Sequence, residues 1–293
     1  MKFYWLILSL AIFTACNDNG QNMARDTHPI EIVLRAPIQE TIENSAVKFS
    51  QECMKDLKLC WYRVKKSAND KELPNVLIKN ASSTLSIEKI TNISTVIDES
   101  VGSDIENLDI TLRGLPDNSP HEQCRDFIYQ TIENIKSSGW KHYYFPSDPR
   151  ISGSQIEKII TPDGVLGQSV LSHPWLDPDY KTPLDHWLKI GSFYNWYFYN
   201  DGVYLNLKAW RHNSKENPAQ TGVYLITLEF MSEREFWNDG VSNEKDRLNW
   251  KELLPARINT YHATRLKIEE EARKAGIEID ESYQDPKIHA LEQ

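Results

Sequence analysis

One stretch limits the folds open to this chain more than any other. Phe193-Tyr194-Asn195-Trp196-Tyr197-Phe198-Tyr199 is apolar on both faces, and successive side chains of a strand point to opposite sides. It therefore reads either as a central strand covered on both sides, or as a strand with part of its ring surface left free as a protein-binding anchor. The stretch runs directly into Asn200-Asp201-Gly202, a turn chemistry that tight hairpins require. A strand over Trp187 to Tyr199, its partner Val203 to Trp210 and a third alternating strand, Val223 to Phe230, make an antiparallel meander. A long helix follows and ends at Ala275 before Gly276, with charged pairs four apart such as Glu269 and Arg273. Its pattern begins near Leu248, whereas Pro255 suits a first turn, so two starts stay open. Ile277 to Gln293 is expected to lie extended over the surface.

The first half reads as two βα units. Ile30 to Leu34 alternates as a strand, and Pro37 opens a helical pattern through Ile42, Ala46, Phe49 and Met54. Leu57 to Val64 returns as a strand. The plan recurs with a strand from Leu108 to Leu112, a turn at Gly114 to Asn118, and a helix opened by Pro120. That helix carries Cys124, Phe127, Ile128, Ile132 and Ile135 on one face and stops at Gly139. Trp140 to Phe145 is the strand after it, and Val76 to Lys79 and Thr84 to Ile87 are additional edge strands. Pro146 to Pro183 is rich in Pro, Gly, Ser and Asp and is expected to be irregular, with one short strand at Val165 to Leu171. The expected fold class is α+β: an N-terminal ferredoxin-like βαβ pair packed with a second unit of antiparallel meander plus long helix.

The N-terminus sets the compartment. Met1-Lys2 is a short positive end, Phe3 to Phe13 is apolar except for Ser9, and Thr14-Ala15 precedes Cys16. These are the marks of a secretory signal, and the apolar run is far below the ~20 residues of a spanning helix. Phe13-Thr14-Ala15-Cys16 resembles a bacterial lipobox, although Leu is commoner where this chain has Phe13. Lipidation at Cys16 and an anchor facing the periplasm are expected, with Asn17 in place of the retention residue Asp pointing to the inner leaflet of the outer membrane. The chain then divides into a leader over 1–15, a lipidated tether over 16–29, an N-terminal α/β sandwich domain over 30–150, an irregular junction over 151–185, and a C-terminal sheet-plus-helix unit over 186–293.

Acidic residues outnumber basic ones 42 to 33, a net charge of −9. That balance argues against nucleic acid, which needs a concentrated basic surface, and it permits a basic protein partner. Nine Trp and thirteen Tyr indicate a packed body rather than a disordered one. Beyond Cys16 three cysteines remain, Cys53, Cys60 and Cys124, so one disulfide and one thiol are expected after export. On one continuous helix Cys53 and Cys60 would stand about 10.5 Å apart, too far to bond. If the helix ends near Asp56 and a strand returns, that limit lapses, and the pairing stays open.

No catalytic constellation emerges. Gly167-Gln168-Ser169-Val170-Leu171 lacks the second glycine of a nucleophile elbow. Asp177, Asp179 and Asp185 are carboxylates without the spacing of a calcium loop. Asp185 and His186 are neighbours that a strand would point to opposite faces, and His142 sits among aromatics. The chain is accordingly read as no enzyme, with no metal and no cofactor. Candidate partner-binding residues are His173, Trp175, Asp177, Asp179 and Tyr180 on the junction, and Arg211 and His212 after the hairpin, where aromatic anchors and charge meet on expected loops.

Two stretches go further. One is Leu112-Arg113-Gly114-Leu115-Pro116-Asp117 with, after its helix, Gly139-Trp140-Lys141-His142-Tyr143-Tyr144-Phe145-Pro146-Ser147-Asp148-Pro149-Arg150-Ile151-Ser152-Gly153-Ser154. The other is Ala272 to Pro286. With the lipobox they resemble the lipoprotein immunity proteins paired with type VI secretion lipase effectors, over about two-thirds of the mature chain; Ile30 to Lys66 carries no such signature. The resemblance implies a binding protein whose partner is a secreted phospholipase, neutralised by covering its active site or lid. The alternative is a generic envelope lipoprotein acting as a binding or assembly factor.

Overall fold

The computed structural model describes residues 28–292. The expected leader, Cys16 and the tether up to residue 27 lie outside them. Among the described residues, no helix is long and apolar enough to cross a membrane.

The fold is α+β, built on one large antiparallel sheet and one small mixed one. Strand β1 (Ile30–Val33) is followed by helix α1 (Ile38–Asn44), β2 (Ser50–Met54) and β3 (Leu59–Lys65). The helical pattern expected to reach Met54 thus ends ten residues earlier, because Ser45 turns extended and its hydroxyl bonds Val47 instead of the helix backbone. Ser50–Met54 then pairs antiparallel with β3, which sets Cys53 directly opposite Cys60. Those two form the disulfide. Cys124 is buried, where burial pushes its thiol up to about 11.

The hairpin β4 (Val76–Asn80) and β5 (Ser83–Ile87) occupies the two expected edge strands, and β1 adds in parallel to give a sheet of order β1-β4-β5. Next come β6 (Ile90–Asp98) and β7 (Asn107–Leu112). Strand β6 was not anticipated, yet it is a central strand between β3 and β7. Its inward positions include Thr95, whose hydroxyl donates to the Asn107 carbonyl, and a bulge between Ile90 and Asn92 breaks the alternation.

After the two-residue β8 (Ser119–Pro120), helix α2 (His121–Ser137) buries Cys124, Ile128, Ile132 and Ile135. It leads to β9 (Lys141–His142), the short remnant of the expected Trp140 to Phe145 strand. Residues 143–183 are irregular, held by 3-10 turns at Gly153–Lys158 and Pro174–Leu176. The strand expected at Val165 to Leu171 is only a bridge between Val165 and Gln168.

Trp187 belongs to helix α3 (Leu184–Lys189), not to a strand. Pro183 fixes the entry angle and Asp185 sits in the first turn, a favourable helix start. The meander follows as β10 (Phe193–Asn200), β11 (Val203–Asn213) and β12 (Thr221–Ser232). Its hairpin needs left-handed backbone at Asp201 (φ 39°) and Gly202 (φ 76°), as the sequence required. Helices α4 (Glu233–Asn238), α5 (Glu244–Leu248) and α6 (Trp250–Lys274) come next, and a tail with one 3-10 turn at His289–Leu291 follows them. Helix α6 starts ahead of Pro255 and runs through it; buried Trp250 and Leu254 anchor the first turn, which offsets the missing N–H.

The large sheet has the order β2-β3-β6-β7-β12-β11-β10-β9. Strands β7 and β12, from the two halves of the sequence, pair directly. The ferredoxin-like βαβ pair is therefore corrected. Strands β1 and β3 sit in different sheets, and β7 and β9 are separated by the whole meander. One face of the large sheet packs with α2, α3 and the small sheet in a continuous core, with Ile93, Ile110, Leu207, Leu228 and Trp187 all fully buried.

Candidate binding surface on the open sheet face

The opposite face of the large sheet is only partly covered. Strand register places its outward side chains in rows. Phe193, Trp210 and Leu225 form one row across β10, β11 and β12. Asn195, Lys208, Thr227 and Thr111 form the next, then Tyr197, Asn206, Glu229 and Asp109, then Tyr199, Tyr204, Met231 and Asn107. The last row lies under α4, where Phe236 stacks flat on Tyr204 with ring centres 3.7 Å apart. At the other end the first row stands uncovered: Phe193 is 70% exposed, Trp210 45% and Leu225 49%.

Between these ends the sheet floor and the segment from Glu235 to Tyr261 enclose a cleft of about 830 Å³. On its floor Glu229 and Asp109 are cross-strand neighbours, a like-charge pairing that costs stability. Lys208 forms an ion pair with Glu229. Burial, then the adjacent Glu229 charge, push the Asp109 carboxyl up to about 6, with Lys208 offsetting part of the rise.

The residues nominated from the sequence behave differently. His173, Trp175, Asp177 and Arg211 are buried. The His173 ring accepts from the Trp175 backbone N–H. Asp177 accepts from the backbone N–H groups of Gly153 and Asp179, at 2.6 and 2.7 Å. A Cβ on Gly153 would sit 2.6 Å from that of Tyr180, so this loop closes only on glycine. Arg211 donates to the carbonyls of Trp187, Leu188 and Ile190 and to the Tyr194 hydroxyl. It satisfies the last turn of α3, the role of a cation at a helix C-terminus. Tyr180 is half-buried, whereas Asp179 and His212 are exposed.

Asp179 meets His142 at 3.2 Å and Lys136 at 2.8 Å, and these hold its carboxyl down at about 2, His142 foremost. His142, Asp177 and Asp179 bring three ligand-type atoms within 4.8 Å of one another, but Asp177 is committed to backbone and Asp179 to Lys136. Asp185 stands apart, 3.0 Å from His186 on the same helix, since α3 replaces the expected strand. Cys16 lies outside the described residues.

The stretch Gly139 to Ser154 packs against the second half of α6 and the tail that follows it. Arg150 holds Glu269 in a two-pronged pair, 2.8 Å on each arm, and its backbone N–H donates to the same carboxylate. Arg265 donates to the carbonyls of Phe145 and Asp148 and to Asp285. The rings of Tyr144 and Tyr283 meet edge to face. No family model, curated protein or solved structure matches the chain.

Sequence reading missed the Asp109, Glu229 and Lys208 cluster. The outward alternation of β7 and β12 was visible, but the register that aligns them depends on a pairing between distant halves of the chain.

Proposed function

We propose that this chain is a periplasm-facing lipoprotein that binds and neutralises a secreted lipase effector. Its body acts as an inhibitor held near the membrane by lipid on Cys16, in the inner leaflet of the outer membrane. The observation that carries the reading is the uncovered row Phe193, Trp210 and Leu225. Three large apolar side chains aligned across adjacent strands, beside a polar cleft, have the make-up of a protein-binding anchor with its rim. The Cys53–Cys60 disulfide is in keeping with an oxidising compartment.

Occlusion of a lipase cleft or lid needs a standard interface, about 1,600 Å² in total. The open face offers a rigid platform for it, because its strands are fixed from behind by the core. The test is protection: the candidate lipase is expressed in the periplasm with this chain, with its Phe193→Ser, Trp210→Ser variant, and without it. Survival with the unaltered chain and killing with the variant is expected. Equal killing in all three arms overturns the neutralising role, and capture of an envelope component in place of a lipase would favour the assembly-factor alternative.

A further inference from the structure

A second cavity of about 310 Å³ lies beside the cleft on the open face and shares Val96, Asn107, Glu235 and Arg247 with it. Together they form a trough beneath α4 and α5. Its charges are unevenly matched. Arg234 is paired with both Glu106 and Glu235, and Lys208 with Glu229. Asp98, Asp104, Asp109 and Asp239 line the trough and have no cation partner among the described residues. Only Arg247 and Arg257 stand against them, and Arg257 is already committed to the Trp237 carbonyl and the Tyr261 hydroxyl.

An acidic surface alone would be ordinary solvated charge. Here it coincides with buried polar atoms that have nothing to bond. Asn206 and Asn238, 5% and 7% exposed, both line the cleft, and the Oδ1 of each is buried without a hydrogen-bond partner. A native structure rarely leaves such atoms orphaned. Both are acceptors, as are the unpaired carboxylates; the Trp237 indole N–H, also without a partner, is an orphaned donor on the same lining, so acceptors and negative charge outweigh donors in the trough.

We infer that the trough receives a basic segment of the partner protein, an arginine side chain reaching the floor formed by Asp109, Glu229 and Asn206. A guanidinium is donor-only and planar, and it is more weakly hydrated than an ammonium, which suits a partly desolvated acidic floor. The inference rests on the binding-protein reading above and names the chemistry of what is bound. The apolar row Phe193, Trp210 and Leu225 supplies contact area, and the trough supplies orientation and selectivity through charge.

The test titrates the full chain in detergent micelles, at low salt, with a blocked pentapeptide of alternating glycine and arginine. A counterpart carries citrulline in place of arginine, which keeps the shape and removes the charge. Binding of the arginine peptide is expected, at least about tenfold tighter than the citrulline form. The Asp109→Asn, Asp239→Asn variant should lose about the same factor, and Glu278→Gln, a change at an exposed carboxylate elsewhere, should lose none. Equal binding of the two peptides overturns the inference without relying on any variant, and so does an unaltered affinity in a folded Asp109→Asn, Asp239→Asn protein. A cognate lipase bound equally well by that variant would sink the basic-segment inference and leave neutralisation standing. Peptide binding with no protection from any lipase would do the reverse.

Discussion

Glu269 and Asp109 are both carboxylates drawn away from bulk water, and the molecule treats them in opposite ways. Glu269 is fully buried, and both of its oxygens are gripped by Arg150. Desolvation works against its ionisation, but the Arg150 hydrogen bonds and charge prevail and hold it below the ordinary carboxylate range. Asp109 faces another carboxylate across the strands, has no cation of its own, and sits above that range. The contrast separates a place where polar groups fix the fold from one where they are left unmatched within it. A buried charge is tolerated when it is paired and is costly when it is not.

The largest effect expected from breaking this contrast is at the paired end. Arg150→Ala strands the Glu269 carboxylate in the core and should destabilise the protein by about 3–5 kcal/mol in chemical denaturation. A loss below about 1 kcal/mol would mean that the pair is replaced by solvent. Next is Arg211→Met, which keeps much of the side-chain volume but leaves the α3 carbonyls without their donor; about 2–3 kcal/mol should be lost, read as a lower urea midpoint with unchanged slope.

At the unpaired end the sign reverses. The Asp109 pKa is raised on folding, from 3.8 to about 6, so the folded state binds the extra proton between those values. Its contribution to stability is intact below pH 3.8 and declines as pH climbs through about 6. Asp109→Asn should therefore stabilise the protein at pH 7, by about 1 kcal/mol after allowing for solvent screening, and should change little at pH 3.5 or below. Thermal melts at the two pH values check it, and destabilisation at pH 7 would show that Asp109 is already well matched. Smallest of all should be Phe193→Ser, Trp210→Ser: within about 0.5 kcal/mol of the unaltered protein, while capture of the partner is lost.

Legibility in the sequence followed the range of the interactions. The hairpin at Asn200 to Gly202 and the helix from His121 were readable, because turn chemistry and apolar periodicity are local. Ser50–Met54 reads locally as helix, since Phe49 and Met54 continue the apolar period of Ile42 and Ala46; the pairing with β3 that makes it a strand lies outside any local window. Trp187 was drawn into a strand by the aromatics after it, although Pro183 and Asp185 carried the helix signal. Strand β6 is hard to read because Thr95 takes an inward position and the bulge between Ile90 and Asn92 breaks the apolar alternation. At the surface, Phe193 is the strongly exposed side chain of the ring-rich stretch, and the others are buried or half-buried. Most of the nominated charged and aromatic residues serve internal loops, since a polar side chain in a loop is as useful for closing that loop as for meeting a partner.

The order β6-β7-β12-β11-β10-β9 bears on how the chain can be made. The two flanks of the wide sheet emerge from the ribosome early, and the three strands that fill the gap between them come last, ending at Ser232. Until then β7 has a bare side, open to the wrong neighbour. A polypeptide truncated near residue 150 should aggregate rather than settle as a half-molecule, and the growing chain needs that edge covered until β12 is complete at Ser232.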